Sequence, residues 1–310
     1  MDITNKCNFN CQHCLNRSAD CTVHDFEKEL TKQEILDCIN QIIKMKPNAI
    51  CLCGGEPTLN SQHLFIARKL ADAGITVNMV SNGSTINMKN ISKYEEAGFT
   101  FIQISLDSHL ELYHDEFRQF KGAFKRAVAA IKTISNSKIR AGIAMTPTKF
   151  NVTKFREYFE FVKSIGCTYI RIMPLLPMGR GLDNFVKIEP NAEEYLILHN
   201  DIIDFREKGY QIEWGDPLEH LYLATSGKRY TPLNVEIKST GEIAPSIYLP
   251  ITVGNVKRHS LSDYWENGLD SIWLHPEVVK LASSVKTLED FKKISLQTWS
   301  ILRKEIDIKR

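Results

Sequence analysis

Apolar residues recur at helical spacing in stretches that end in glycine and give way at once to short β-rich runs. Ala73-Gly74 precedes ITVNMVS, Ala97-Gly98 precedes FTFIQISL, and Ile165-Gly166 precedes CTYIRIM. Glycine suits the position just past a helix because it takes the left-handed backbone conformation without a Cβ clash, so the chain turns directly into a strand. The first helix is marked by the capping pair Thr31 and Glu34 and carries Ile35, Leu36, Ile39, Ile42 and Ile43 on one stripe. Further helices are predicted over Leu64 to Ala73, Met88 to Ala97, Ala123 to Ile134 and Val152 to Ile165. Strands are predicted at Asp2 to Lys6, Ala49 to Cys53, Thr76 to Ser81, Thr100 to Leu106, Arg140 to Met145 and Thr168 to Met173.

Strands alternating with helices imply a parallel sheet with right-handed crossovers, and about six units form an open barrel where a closed one needs eight. The expected fold class is therefore α/β, a partial (β/α)6 TIM-like barrel with a small α+β carboxyl-terminal extension. After Gly181 the alternation fades into a helix around Glu193 to Phe205, a short strand around Tyr210 to Trp214, and a hairpin through Asn234 to Tyr248 that turns at Ser239-Thr240-Gly241. A final amphipathic helix carries Leu288, Phe291, Trp299 and Leu302. The expected domains are a barrel core at 1–185 and the extension with its terminal helices at 186–310. Sites in such sheets gather at the carboxyl ends of the strands. The residues there are Cys7 onward, Gly54-Gly55-Glu56-Pro57, Ser81-Asn82-Gly83, and Ser105 with Asp107.

Composition narrows the function. The 310 residues are 43% hydrophobic and 25% charged with a net charge of +2, so no strong field gathers nucleic acid or anionic lipid. No apolar run approaches the ~20 residues of a bilayer span, and the amino terminus lacks a secretory segment, so a cytoplasmic protein is expected. Four of the eight cysteines fall in the first 21 residues and none follows Cys167. In a cytosolic chain such clustering points to metal or catalysis before disulfides.

Cys7, Cys11 and Cys14 stand in CNFNCQHC, three thiolates on one short loop. That set suits three corners of an iron-sulfur cubane whose fourth iron stays open to bind a cofactor or substrate. A zinc site completed by His13 or Cys21, in a non-catalytic binding protein, is the competing reading. It fits a small loop-rich module better than a loop at the end of a barrel strand.

CNFNCQHC followed by CGGEP at Cys53 to Pro57 resembles the radical S-adenosylmethionine (SAM) superfamily over roughly residues 1–185. The resemblance implies one [4Fe-4S] cluster on Cys7, Cys11 and Cys14, with SAM chelating the open iron. Reductive cleavage then yields methionine and a 5′-deoxyadenosyl radical that removes a substrate hydrogen. It further implies that Gly54, Gly55, Glu56 and Pro57 line the methionyl amine, and that Ser81, Asn82, Ser105 and Asp107 meet the methionyl carboxylate or the ribose. Arg118 in HDEFRQF is expected to pair with a carboxylate, and Met173 in RIMPLLPMGRG to contact adenine. Each has a plainer reading: a βα turn for GGEP, capping or turn groups for the serines and Asp107, a solvated loop for Arg118, core packing for Met173. Arg180 reads as a substrate-orienting group or as part of a turn, and is left out of the expected site.

The stretch NVEIKSTGEIAPSIYLPITVGNVKRHSLSDYWENG resembles a SPASM or twitch extension, with Ser246 where relatives often carry a cysteine. Auxiliary clusters are therefore not expected. Cys51 and Cys53 share one strand face and read as small core residues or as hydrogen donors. The leading expectation is modification of a peptide or peptide-derived product. Its alternative is a small-molecule dehydrogenase, epimerase or carbon-skeleton enzyme. Implied partners are a reductant such as flavodoxin or ferredoxin and a separate precursor-peptide-binding protein.

Overall fold

A computed structural model describes residues 1–226, 234–298 and 304–309. Six strands, β1 (Ala49–Leu52), β2 (Thr76–Ser81), β3 (Phe99–Ser105), β4 (Arg140–Met145), β5 (Tyr169–Ile172) and β6 (Gln211–Trp214), form one sheet in sequential order. Every pairing is parallel. The intervening helices are α1 (Lys32–Met45), α2 (His63–Asp72), α3 (Ile91–Glu96), α4 (Glu111–Arg118), α5 (Ala123–Ser135), α6 (Phe155–Ser164), α7 (Arg180–Ile188), α8 (Ala192–Glu207) and α9 (Pro217–Thr225). The expected capping box opens α1, Thr31 and Glu34 satisfying each other's backbone N–H groups. Gly74, Gly98 and Gly166 sit at the predicted joints with φ of +81°, +83° and +91°.

The register separates two faces. Leu52, Val77, Met79, Ile102, Ile104, Ile143, Ile170 and Ile172 are wholly buried on the helix side. The alternate residues Cys51, Asn78, Val80, Phe101, Ser105, Ala144, Tyr169 and Arg171 are only partly buried. This second face is the concave one, because Phe101 of β3 and Tyr169 of β5 meet edge-on at 5.4 Å across the intervening β4. A Cβ on Gly142 of β4 would collide with both rings. Closed barrels fill this space with their own side chains. Here it stays accessible to water.

Two strands differ from expectation. Asp2 makes only an isolated bridge to Cys53. Beyond Ile3 the backbone serves the Gly54–Glu56 turn: Gly55 N–H donates to Thr4 O at 2.7 Å and Glu56 N–H to Lys6 O at 2.8 Å. The ladder therefore stops before the predicted Asp2–Lys6 strand can form. The sheet's sixth strand is instead β6, which the sequence pattern assigned to the extension. The helix expected over Met88 to Ala97 is shorter, Ile91–Glu96, because Asn87 and Asn90 form hydrogen-bonded turns ahead of it.

In the extension, β7 (Glu236–Ile237) and β8 (Glu242–Ala244) form the predicted antiparallel hairpin, turning through Gly241, and β10 (Gly254–Asn255) pairs with β8. β9 (Ile251–Thr252) pairs with β11 (Lys304–Glu305). The helices here are α10 (Leu261–Tyr264), α11 (Pro276–Ser283) and α12 (Leu288–Thr298). Phe291 is buried as expected, while Trp299 and Leu302 lie outside the described residues. Among the described residues no helix is long and apolar enough to cross a membrane.

Candidate active site

The cysteine loop leaves the amino-terminal segment at the carboxyl end of the sheet. Cys7, Cys11 and Cys14 share one small apolar cluster with Phe9, Phe120 and Ala123, in which the rings of Phe9 and Phe120 stack at 4.4 Å. Burial pushes the Cys7 thiol up to about 12 and raises Cys11, against which Arg118 acts in the opposite direction. Burial thus favours the neutral thiols, and metal binding is what deprotonates such groups. The donor set fits a cluster that offers each thiolate its own iron better than it fits zinc. His13 is not a cation: it stacks on Phe117 at 4.4 Å, and burial depresses its pKa to about 3, which keeps the ring neutral.

The GGEP turn holds the loop's root. A Cβ on Gly54 would overlap Thr4 O, and one on Gly55 would overlap Lys6 O, so only glycine permits this approach, and Gly54 also has φ +128°. Glu56 is buried, and its carboxylate accepts from Ser81 Oγ at 2.9 Å, Asn82 N–H at 2.7 Å and Thr58 Oγ at 2.7 Å. Burial raises its pKa, and those hydrogen bonds oppose the rise. Pro57 opens the short helical turn that Glu56 caps. Asn82 continues the brace into the cysteine loop, its Nδ2 donating to Asn8 Oδ1 at 2.8 Å, while Asn8 Nδ2 reaches Ser84 Oγ at 2.9 Å. Glu56, Ser81 and Asn82 are thus brought together, but Glu56 and the Ser81 hydroxyl are engaged with each other.

Asp107 and Arg118 form a second brace. Asp107 is wholly buried, accepting from Arg118 Nε at 2.6 Å and from Thr146 N–H at 3.0 Å. Arg118 extends one terminal nitrogen to Cys11 Sγ at 3.7 Å. Desolvation would raise the Asp107 pKa, but the guanidinium wins and holds it below the usual carboxylate range. The family resemblance gave Asp107, with Ser105, a SAM contact, and gave Arg118 a carboxylate partner with a solvated loop as the alternative. The structure instead gives Asp107 to Arg118, and Arg118 is buried against the cysteine loop. His114 completes the pair's surroundings: its Nδ1 accepts Asp107 N–H at 3.2 Å, and burial lowers its pKa to about 4. The nearby Asp107 carboxylate, 3.6 Å away, therefore faces a neutral ring. Ser105 is half-buried at the end of β3, and Met173 follows β5, its N–H bonded to Met145 O at 2.9 Å.

Arg180, which the sequence reading left out of the site, braces the cysteine loop. Its Nε donates to Cys11 O at 2.9 Å, its Nη1 to Ser18 O at 3.0 Å, and its own N–H to Cys14 O at 2.9 Å. A Cβ on Gly179 would overlap the carbonyls of Cys14 and Leu15, so the GRG segment lies flat on the loop. The only signal was the Gly-Arg-Gly placement just after a barrel strand. In the extension, Ser246 is buried with its hydroxyl 3.4 Å from His220 Nε2.

Comparison with known proteins agrees with this geometry. A model described as the radical SAM superfamily matches residues 1–162. An AdoMet-dependent heme synthase of Methanosarcina barkeri (strain Fusaro / DSM 804) is 26% identical over 287 residues, 86% of this chain and 81% of that protein. The mycofactocin maturase MftC of Mycolicibacterium smegmatis is 28% identical over 291 residues, 90% of this chain and 70% of that protein. The crystal structure of Streptococcus suis SuiB bound to precursor peptide SuiA superposes with a TM-score of 0.68 at 14% identity, covering 97% of this chain and 73% of that one. That likeness confirms a partial TIM-like barrel.

Proposed function

The chain belongs to the radical SAM superfamily, and from that premise we propose that it modifies a peptide or peptide-derived substrate by hydrogen-atom abstraction. When bound, the family's [4Fe-4S] cluster and SAM supply a one-electron reductive cleavage of the sulfonium that ends in removal of a substrate hydrogen. Cys7, Cys11 and Cys14 would hold the cluster. The turn at Gly54, Gly55, Glu56 and Pro57 would present backbone carbonyls to the methionyl amine, with Glu56 ordering the end of β2. Ser81, Asn82, Ser105 and Met173 would line the remaining SAM surface. Arg118, fixed by Asp107, would hold positive charge beside the Cys11 thiolate and the methionyl carboxylate. The observation that carries this reading is the three thiols in one apolar cluster at the strand ends, with the Arg118 guanidinium 3.7 Å from Cys11 Sγ.

We assign catalysis to residues 1–185 and substrate covering to 186–310, a division of labour rather than of sheet, since β6 belongs to the second part. A peptide substrate is supported by the likeness to SuiB, whose structure holds its precursor peptide. The similarity to the M. barkeri heme synthase favours a small-molecule substrate as the second reading. A flavodoxin- or ferredoxin-type reductant and a separate precursor-binding protein complete the proposal.

The test is anaerobic reconstitution with iron and sulfide, followed by reduction with SAM and chromatography for 5′-deoxyadenosine. Wild type should bind about four irons per chain and release the nucleoside, and Cys11→Ala should lose both. Wild type that takes up only zinc and forms no nucleoside would overturn the reading.

A further inference from the structure

We propose that Arg171 anchors a carboxylate of the substrate inside the barrel, opposite Cys51 and beside Tyr169 and Glu213. This rests on the radical SAM reading and adds the substrate's chemical class. Arg171 lies on the concave face, its neighbours across the ladder being Ala144 of β4 and Glu213 of β6. Its Nε is buried and has no hydrogen-bond partner among the described residues. Glu213 Oε1 forms an ion pair with it at 3.6 Å, beyond hydrogen-bond reach, and the other oxygen of that carboxylate accepts from the Tyr169 hydroxyl. With 39% of its side chain exposed, Arg171 presents its fork to the open interior.

The neighbouring cation behaves differently. Arg140 lies over the rings of Phe101 at 4.9 Å and Tyr169 at 5.8 Å, so its guanidinium is occupied by aromatic faces. A Cβ on Gly215 would stand 2.7 Å from Met173 Sδ, so the glycine makes room for Met173, while Arg171 Nε at 3.4 Å lies in ordinary contact. Cys51 of β1 lines the same concave face, in register with Asn78 and through it with Phe101, and the Arg171 charge favours its thiolate. A planar five-donor fork on a side chain 39% exposed, with only a 3.6 Å ion pair to Glu213, matches a carboxylate bidentately. Glu213 orients the group without filling the fork.

The test alkylates the anaerobically reconstituted full chain with iodoacetate, which carries a carboxylate, and separately with neutral iodoacetamide. Rates are read by peptide mapping at the Cys51–Cys53 pair, with exposed Cys21 as internal reference. Any change in thiol acidity affects both reagents alike, so the ratio isolates anion binding. The iodoacetate preference at the pair should exceed that at Cys21 by about tenfold, the scale of one partly screened ion pair. It should fall to the Cys21 level in Arg171→Gln, persist in Arg171→Lys and be unmoved in Arg140→Gln. Equal ratios at the two sites in wild type, or a ratio unchanged by Arg171→Gln, would overturn the assignment.

Protection from iodoacetate then separates the sources of the carboxylate. Coproporphyrin III is compared with its tetramethyl ester, and a short peptide with its carboxyl-terminal amide. Protection by either acid but not by its neutral twin supports the subsite and names its source, whereas equal protection by acid and twin, or none by either acid, refutes it. Failure of the cluster reading shows separately in the same map, as absent iron and alkylated Cys7, Cys11 and Cys14.

Discussion

His114 illustrates how a single buried side chain ties the site to pH. Its ring is neutral in the fold because burial lowers its pKa to about 4 from 6.5, and because Nδ1 already accepts the Asp107 N–H. Between those values the unfolded chain binds a proton that the native chain refuses, so stability falls as pH drops through 6.5 and the loss is complete near 4. Two units of that window correspond to a contribution on the order of 2 to 3 kcal/mol. Urea unfolding of wild type and His114→Gln at pH 7 and 4.5 should therefore show the stability gap between them narrowing by about that amount at the lower pH; a constant gap would refute it. At this scale the sequence was legible where a motif names its own residues, as the cysteines and GGEP do. It was silent where a partner is a distant carbonyl. Arg180 binds Cys11 O and Ser18 O across more than 160 positions, and no local pattern encodes such a contact.

Glycines at the element scale do two separable jobs, and only one of them leaves a pattern. Gly74, Gly98 and Gly166 punctuate helix-to-strand joints, which the alternation of apolar periods revealed directly. Gly142 sits inside β4 with no such context. Its missing side chain is what lets Phe101 and Tyr169 close the concave face edge to edge. Gly142→Ala should therefore force the rings apart and cost about 1–3 kcal/mol, the usual penalty of overpacking, seen as a lower thermal midpoint. Phe101→Leu in the same chain should recover part of that loss, and a strictly additive double mutant would show the rings are not the cause. The same limit explains the amino-terminal strand. Its β-like pattern is real, but the close approach of Gly54 and Gly55 to Thr4 and Lys6 takes over its backbone groups, and that competition is visible only in three dimensions.

For the whole molecule, the division into a barrel and an extension does not describe how the chain folds. β6 completes the sheet from beyond residue 185, and the helix that leads into it supplies Phe205, whose ring stacks on Phe159 of α6 at 4.0 Å. Arg156 of α6 pairs with Asp201 at 2.6 Å and Asp204 at 2.7 Å on that same helix. The extension also returns to the beginning of the chain: Asp2 N–H donates to Ile237 O at 2.8 Å, and Leu30 N–H to Ser239 O at 2.7 Å. Ending the chain at residue 185 would strip the outer face of α6, leave β5 as an open parallel edge and remove the partners of the segments that flank the cysteine loop. Parallel strands depend on cover from both sides. A 1–185 fragment should consequently be insoluble or melt without a cooperative transition, while the full chain melts as one unit whose midpoint is the same by circular dichroism and by tryptophan fluorescence. Restoring α8 and β6 in a 1–225 fragment should recover the helical signal but not cluster retention, because the hairpin that holds Asp2 and Leu30 is still missing. A 1–185 fragment that folds cooperatively and keeps iron would mean that these contacts decorate an autonomous barrel and do not build it.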